Sequence, residues 1–158
     1  MTMDDAVLLF ATGFGLGWLP WSPGTFGSLL GIPLAWWMSG FTRGSQLGIM
    51  TFLLIVAVPI CHVASLALGS GDAPQIVADE FMAFPIALLG LSVARQPWVM
   101  ALAFILFRLF DATKPPPIDH IEAIGGGLSI ALDDVMAAIY AWLVLVAILS
   151  LWRRHGRR

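Results

Sequence analysis

Three short clusters of charge interrupt an otherwise apolar chain. Ala78-Asp79-Glu80-Phe81 opens an apolar run with two adjacent carboxylates. Phe107-Arg108-Leu109-Phe110-Asp111-Ala112-Thr113-Lys114 ends a second run and is followed by Pro115-Pro116-Pro117. Asp133-Asp134 lies inside the last run, shortly after Gly125-Gly126-Gly127. A carboxylate in hydrocarbon is expensive, about 2.5–3.5 kcal/mol for Asp at the centre of an inserted helix and less near its ends. Asp79, Glu80, Asp111, Asp133 and Asp134 therefore need compensation. A divalent cation supplies it, and an all-oxygen donor set suits Mg2+. Arg108 and Lys114 add what a phosphate needs, a two-pronged donor and a point charge.

A blander reading stands beside this one. Acids at helix N-termini meet the helix dipole favourably, by roughly 0.3–1 kcal/mol each. If the helix runs on to Lys114, then Arg108, Asp111 and Lys114 lie three apart on one face and can pair as structural ions. The prolines then stop that helix.

A second feature is the Pro/Gly turn Leu19-Pro20-Trp21-Ser22-Pro23-Gly24-Thr25-Phe26-Gly27-Ser28-Leu29. Backbone N–H groups at a helix start suit an anion, Gly24 allows close approach, and Thr25 and Ser28 add hydroxyls. Thr25 fits an ordinary N-cap equally well. Gly125–Gly127 reads either as a flexible turn or as a phosphate approach. His120 is a proton relay or a solvated loop residue. His62 reads as a ring satisfied by a neighbouring helix, and Cys61 as a small buried apolar residue.

The elements that must position these groups are apolar. Of 158 residues, 59% are hydrophobic and 11% charged, and the mean hydropathy is +0.88. Soluble domains carry about 25% charge, so much of this surface meets lipid. The net charge of −2 gives no support for nucleic-acid binding. One cysteine excludes an intrachain disulfide. The acidic start, Met1 to Asp5, lacks the basic region of a cleavable signal peptide.

Six apolar stretches follow: Ala6–Leu16, Phe26–Met38, Leu47–Leu68, Phe81–Ala94, Trp98–Phe110 and Leu128–Trp152. Only the third and last reach the ~20 residues of a membrane span. The others are tilted, re-entrant or buried among the longer ones. The expected fold is all-α, a compact multi-helix integral membrane domain of about six helical segments filling residues 1–158. Alternating the stretches across a slab sorts the loops. Nearly all the acids, with Arg108 and Lys114, fall on or beside one face, and Arg43, Arg95, Arg153, Arg154, Arg157 and Arg158 on the other.

Four segments in this order, GFGLGWLPWSPGTFGSL (Gly13–Leu29), ADEF (Ala78–Phe81), FRLFDATKPPPI (Phe107–Ile118) and GGGLSIALDDVMA (Gly125–Ala137), resemble the phosphatidylglycerophosphatase A family. The resemblance implies a helical bacterial inner-membrane enzyme that uses Mg2+ to hydrolyse phosphatidylglycerophosphate to phosphatidylglycerol. By motif position it marks Asp79, Glu80, Asp111, Asp133 and Asp134 as acidic site residues. Arg108, Lys114 and Thr25 take the phosphate side, with Ser28 and Gly24 beside Thr25.

Other phosphatase chemistries fit poorly. Position 67, where a Cys-x5-Arg loop starting at Cys61 needs arginine, is Ala67. The residue two after Asp111 is Thr113, so no Asp-x-Asp pair exists there. The paired histidines of vanadium-type lipid phosphatases are also missing. A metal-activated water remains, with Asp111 or Glu80 taking its proton and Lys114 assisting. Two non-enzymatic alternatives stay open, an ion or proton carrier and a small membrane subunit whose charges pair with a partner.

The resemblance places the site on the cytoplasmic face, where the substrate is made. The positive-inside rule instead puts the arginine-rich tail in the cytoplasm and turns the acidic face outward.

Overall fold

The computed structural model describes residues 3–69, 73–122 and 127–155. Every regular element among the described residues is helical: α1 (Met3–Ala11), α2 (Pro23–Met38), α3 (Arg43–Leu68), α4 (Ala78–Ala83), α5 (Pro97–Thr113), α6 (Ile118–Glu122) and α7 (Gly127–His155). Two 3-10 turns join them, Leu16–Trp18 and Phe84–Leu88.

Local chemistry sets the ends. Thr42 caps α3 by accepting a hydrogen bond from the Ser45 amide at 3.3 Å, and Gly69, at φ 69°, closes it. The first expected stretch ends early, at Ala11. Gly13, Phe14 and Gly15 all have positive φ (57°, 58° and 95°), which no helix accommodates.

The two longest helices are the ones that the sequence anticipates as spans, and both are long and apolar enough to cross a membrane. At 1.5 Å per residue, α3 and α7 run roughly 39 and 43 Å, enough for a ~30 Å hydrocarbon layer. Their apolar windows have mean hydropathies of 2.4 and 2.3, yet only 22% and 28% of those windows are buried. A core helix of a soluble protein would be mostly enclosed. These show their apolar surface outward, as Phe52 (65% exposed), Ile55 (66%) and Leu66 (69%) illustrate.

The stretch Phe81–Ala94 is not one helix. Pro85 has no N–H to donate, so α4 gives way to the 3-10 turn after Ala83. This broken segment runs through the interior, with Phe84, Ala87 and Leu88 buried. It starts among the acids and ends at Gly90, whose amide donates to Gln46 Oε1 in the first turn of α3 at 2.9 Å. Irregular backbone at membrane depth is tolerable only when enclosed by protein in this way. α2 lies close against it because Gly27 has no side chain; a Cβ there would stand 2.3 Å from Val77 Cβ.

One half of the core gathers Phe84, Phe107, Ile118 and Leu145 around Ala103, Ala137, Ala138 and Ala141. The other gathers Phe81 and Met82 around Ala57, Cys61 and Ala64. Small residues at these helix contacts let the backbones approach where lipid supplies no hydrophobic drive. Cys61 is fully buried, as its sequence context suggests. His62 departs from expectation: it is exposed on α3. The short α6 was not anticipated. Its buried anchor, Ile118, follows three prolines, and only Ile121 repeats it at helical spacing within so short a segment.

Candidate active site

The first turns of α2 and α4, the last turn of α5 and the second turn of α7 meet at one end of the bundle. They enclose a cavity of about 360 Å³ lined by Gly24, Asp79, Glu80, Arg108, Asp111, Lys114, Asp133 and Asp134. The three charge clusters, far apart in sequence, thus share one wall. Ser22, Pro23, Pro74, Ile76 and Ala112 complete the lining.

Arg108 is the hub. Its Nη1 lies 3.2 Å from Glu80 Oε1, 2.5 Å from Asp111 Oδ2 and 3.3 Å from Ser28 Oγ. The Ser28 hydroxyl stands 2.9 Å from Glu80 Oε2 and 2.8 Å from the Gly24 carbonyl, and donates to either. Lys114 reaches a different acid, its Nζ 2.9 Å from Asp133 Oδ2. This differs from a helix continuing to Lys114. The helix stops at Thr113, and Lys114 adopts a left-handed conformation (φ 39°) that sends its amine to α7.

The two acid pairs repeat one local device. The Glu80 amide donates to Asp79 Oδ1 at 3.0 Å, and the Asp134 amide donates to Asp133 Oδ1 at 2.9 Å. Asp79, Asp133 and Asp134 are 5%, 5% and 3% exposed. Asp134 Oδ1 is buried without a hydrogen-bond partner. Asp134 also lies within Coulombic range of the four other acids. Burial pushes the Glu80 carboxyl up to about 7; Arg108 opposes that shift and Asp111 adds to it.

The helix-dipole reading holds for Asp79 and Glu80, in the first turn of α4, and the ion-pair reading holds for Arg108 with Asp111, but neither covers the whole set. Asp133 and Asp134 lie beyond the first turn of α7. Asp111 sits near the C-terminus of α5, the end where a carboxylate is disfavoured. Five acids face two cations, leaving a formal excess of negative charge when all are ionised. Together with the orphaned Asp134 oxygen and the all-oxygen donor set, this fits a hard divalent cation. Among the described residues, no three acid, histidine or cysteine side chains are already closed around an ion position. As arranged, Arg108 and Lys114 take up oxygens of Glu80, Asp111 and Asp133.

The expected phosphate-side residues divide. Gly24 lines the cavity, Ser28 stands behind it bridging Glu80 and Arg108, and Thr25 is not among the lining residues. Nor is Thr25 the cap of α2; Ser22 holds that position, with Pro23 as the first helical residue. The preference of proline for that first position was the sequence signal for Ser22. His120 is exposed, 3.9 Å from Asp119 Oδ1, and does not line the cavity. Gly125 and Gly126 lie outside the described residues, and Gly127 begins α7.

Residues 9–149 match the family model of phosphatidylglycerophosphatase A. The chain belongs to the phosphatidylglycerophosphatase A family. Membership makes it a lipid phosphatase of a membrane-associated family. It is 40% identical over 155 residues to phosphatidylglycerophosphatase A of Haemophilus influenzae, covering 94% of this chain and 91% of the relative. It is 35% identical over 154 residues to phosphatidylglycerophosphatase A of Escherichia coli, covering 96% and 88%. A Bacteroides thetaiotaomicron protein, provisionally named phosphatidylinositol-3-phosphatase, is 32% identical over 144 residues, covering 87% and 90%. No solved structure matches the chain. The family match extends over α2, α4, α5 and α7, the elements that build the acid-lined cavity.

Proposed function

We propose that the protein removes the terminal phosphate of phosphatidylglycerophosphate, with Mg2+ as cofactor, to give phosphatidylglycerol and inorganic phosphate in the bacterial cytoplasmic membrane. The supporting observation is the convergence of five carboxylates, a guanidinium and an ammonium on one cavity at the end of the bundle. A carrier would need ionisable groups strung across the bilayer, and these interior acids gather at one end instead.

Asp79, Asp133 and Asp134, with Glu80 and Asp111, supply the oxygen donors. Mg2+ held there would lower the pKa of the attacking water and neutralise charge on the phosphoryl oxygens. Arg108 and Lys114 bind the phosphate by exchanging carboxylate oxygens for phosphoryl oxygens. Glu80 or Asp111 accepts the water proton. Water oxygen joins phosphorus, the P–O bond to the glycerol breaks, and the glycerol oxygen regains a proton. Ser28 holds Glu80 in register, while Gly24 at the start of α2 leaves room for the headgroup. The acyl chains stay in lipid.

Purified protein should release phosphate from phosphatidylglycerophosphate with Mg2+ and stop with EDTA. Inactivity under both conditions refutes the reading. Phosphatidylinositol 3-phosphate, run in parallel, should be the slower substrate; equal or faster release would reassign the headgroup. Asp111→Asn should abolish turnover while the protein stays folded, and an active variant removes Asp111 from the chemistry.

A further inference from the structure

At the end of the bundle opposite the acids, α2 and α5 line a second and larger groove of about 560 Å³. Ile32, Pro33, Trp36, Pro97, Met100 and Ala101 make it apolar, and Arg95 is its one charged residue. It holds no acid and no nucleophile, so it has no part in the hydrolysis described above.

Arg95 is fixed in place. Its guanidinium carbon sits 4.5 Å over the Trp36 ring. Its Nε donates to the Trp36 carbonyl at 3.3 Å and to Ser39 Oγ at 3.1 Å. Among the described residues, no acid pairs with it and no acceptor engages its two terminal amino groups. A guanidinium anchored through Nε presents the remaining fork to an anion, and phosphate accepts such a fork with two oxygens. Below the fork the surface is apolar and open to the lipid-facing shell, where Trp36 is 53% exposed. An anion that carries a hydrocarbon tail matches both parts of the groove.

The neighbours select its net charge. Arg153 Nη2 lies 3.4 Å from Ser92 Oγ at the same end, and Arg43 flanks Gly90. Together with Arg95 they make this end of the bundle cationic, which disfavours the positive group of a zwitterionic headgroup. We propose that this groove binds one anionic phospholipid, its phosphate on Arg95 and a chain against Ile32, Trp36 and Met100, separate from the substrate cavity.

Trp36 provides a local reporter. Full-length protein is reconstituted in phosphatidylcholine vesicles containing either brominated phosphatidylglycerol or brominated phosphatidylcholine. Trp36 quenching is taken as the difference between the wild type and Trp36→Phe. The anionic lipid should quench at about fivefold lower mole fraction, the scale of one arginine's attraction for an anionic over a zwitterionic lipid. Arg95→Gln should erase the preference and Arg95→Lys keep part of it.

Gly40→Ala tests the anchoring with the charge intact. A Cβ there would meet Arg95 Nη2 at 2.4 Å and displace the fork, so the preference should fall. Equal quenching by the two lipids in the wild type overturns the proposal, and that comparison does not require an Arg95 variant to fold. A preference surviving Arg95→Gln does the same. So does relief of quenching by soluble glycerol 3-phosphate, which would make this a site for a free phosphate.

Discussion

Gly24→Ala should separate stability from catalysis. Gly24 is the second residue of α2, and a Cβ built on it would stand 2.1 Å from Glu80 Oε1, 2.9 Å from Cδ and 3.0 Å from Oε2. Ordinary contact begins at 3.4 Å, so the Glu80 carboxylate must retreat by about 1 Å. It is not free to do so cheaply, being held by Arg108 at 3.2 Å and Ser28 at 2.9 Å. A misplacement of about 1 Å in catalytic machinery costs about a hundredfold in rate.

The effect on stability runs the other way. Alanine is favoured over glycine in a helix by up to about 1 kcal/mol, less at its ends, and this offsets the local rearrangement. The expected result is a kcat for phosphate release about a hundredfold lower, with a melting temperature equal to or above that of the wild type. Mg2+-dependent release from phosphatidylglycerophosphate and a detergent-solubilised thermal melt measure the two. Wild-type turnover in Gly24→Ala would refute the claim that the contact between α2 and Glu80 sets the catalytic geometry. A collapsed melting temperature would refute the claim that the site can be disturbed without the fold.

Three further outcomes are expected. Asp134→Asn removes a buried, unpartnered carboxylate oxygen. It should raise melting temperature in EDTA while abolishing the Mg2+-induced rise, which in the wild type approaches about 2.7 kcal/mol at a hundred times the dissociation constant; a retained Mg2+ shift would exclude Asp134 as a ligand. Glu80, raised to about 7 from 4.5, binds its proton more tightly folded than unfolded. Its contribution to stability in EDTA is therefore fully present below about pH 4.5 and lost as pH rises through about 7, and Glu80→Gln should flatten that slope in melts taken across the range. Finally, a cavity facing the cytoplasm, where the substrate is made, puts the C-terminal end of α7 outside, so a C-terminal alkaline phosphatase fusion should be active and a fluorescent-protein fusion at the same point dark. A bright fluorescent-protein fusion would turn the cavity outward, as the positive-inside rule reads the arginine-rich tail.

The amino-acid order alone marked the charged residues that line the cavity, and the membrane setting. Asp79, Glu80, Arg108, Asp111, Lys114, Asp133 and Asp134 are conspicuous because ionised groups are costly within apolar runs, so their presence already signals compensation and use. The spans α3 and α7 were equally legible, since length and hydropathy are additive properties of a segment. Pairing was not legible, because it depends on distances between helices remote in sequence. Only the folded chain sends Lys114 to Asp133 rather than Asp111, through a left-handed cap at the end of α5. Only the fold brings Ser28 and Gly24 against Glu80, because the close approach of α2 to α4 is a packing outcome. The break at Pro85 had a local signal. That the broken segment would cross the core and carry Asp79 and Glu80 to the cavity was decided by α2, α3 and α7 enclosing a backbone that lipid could not accommodate.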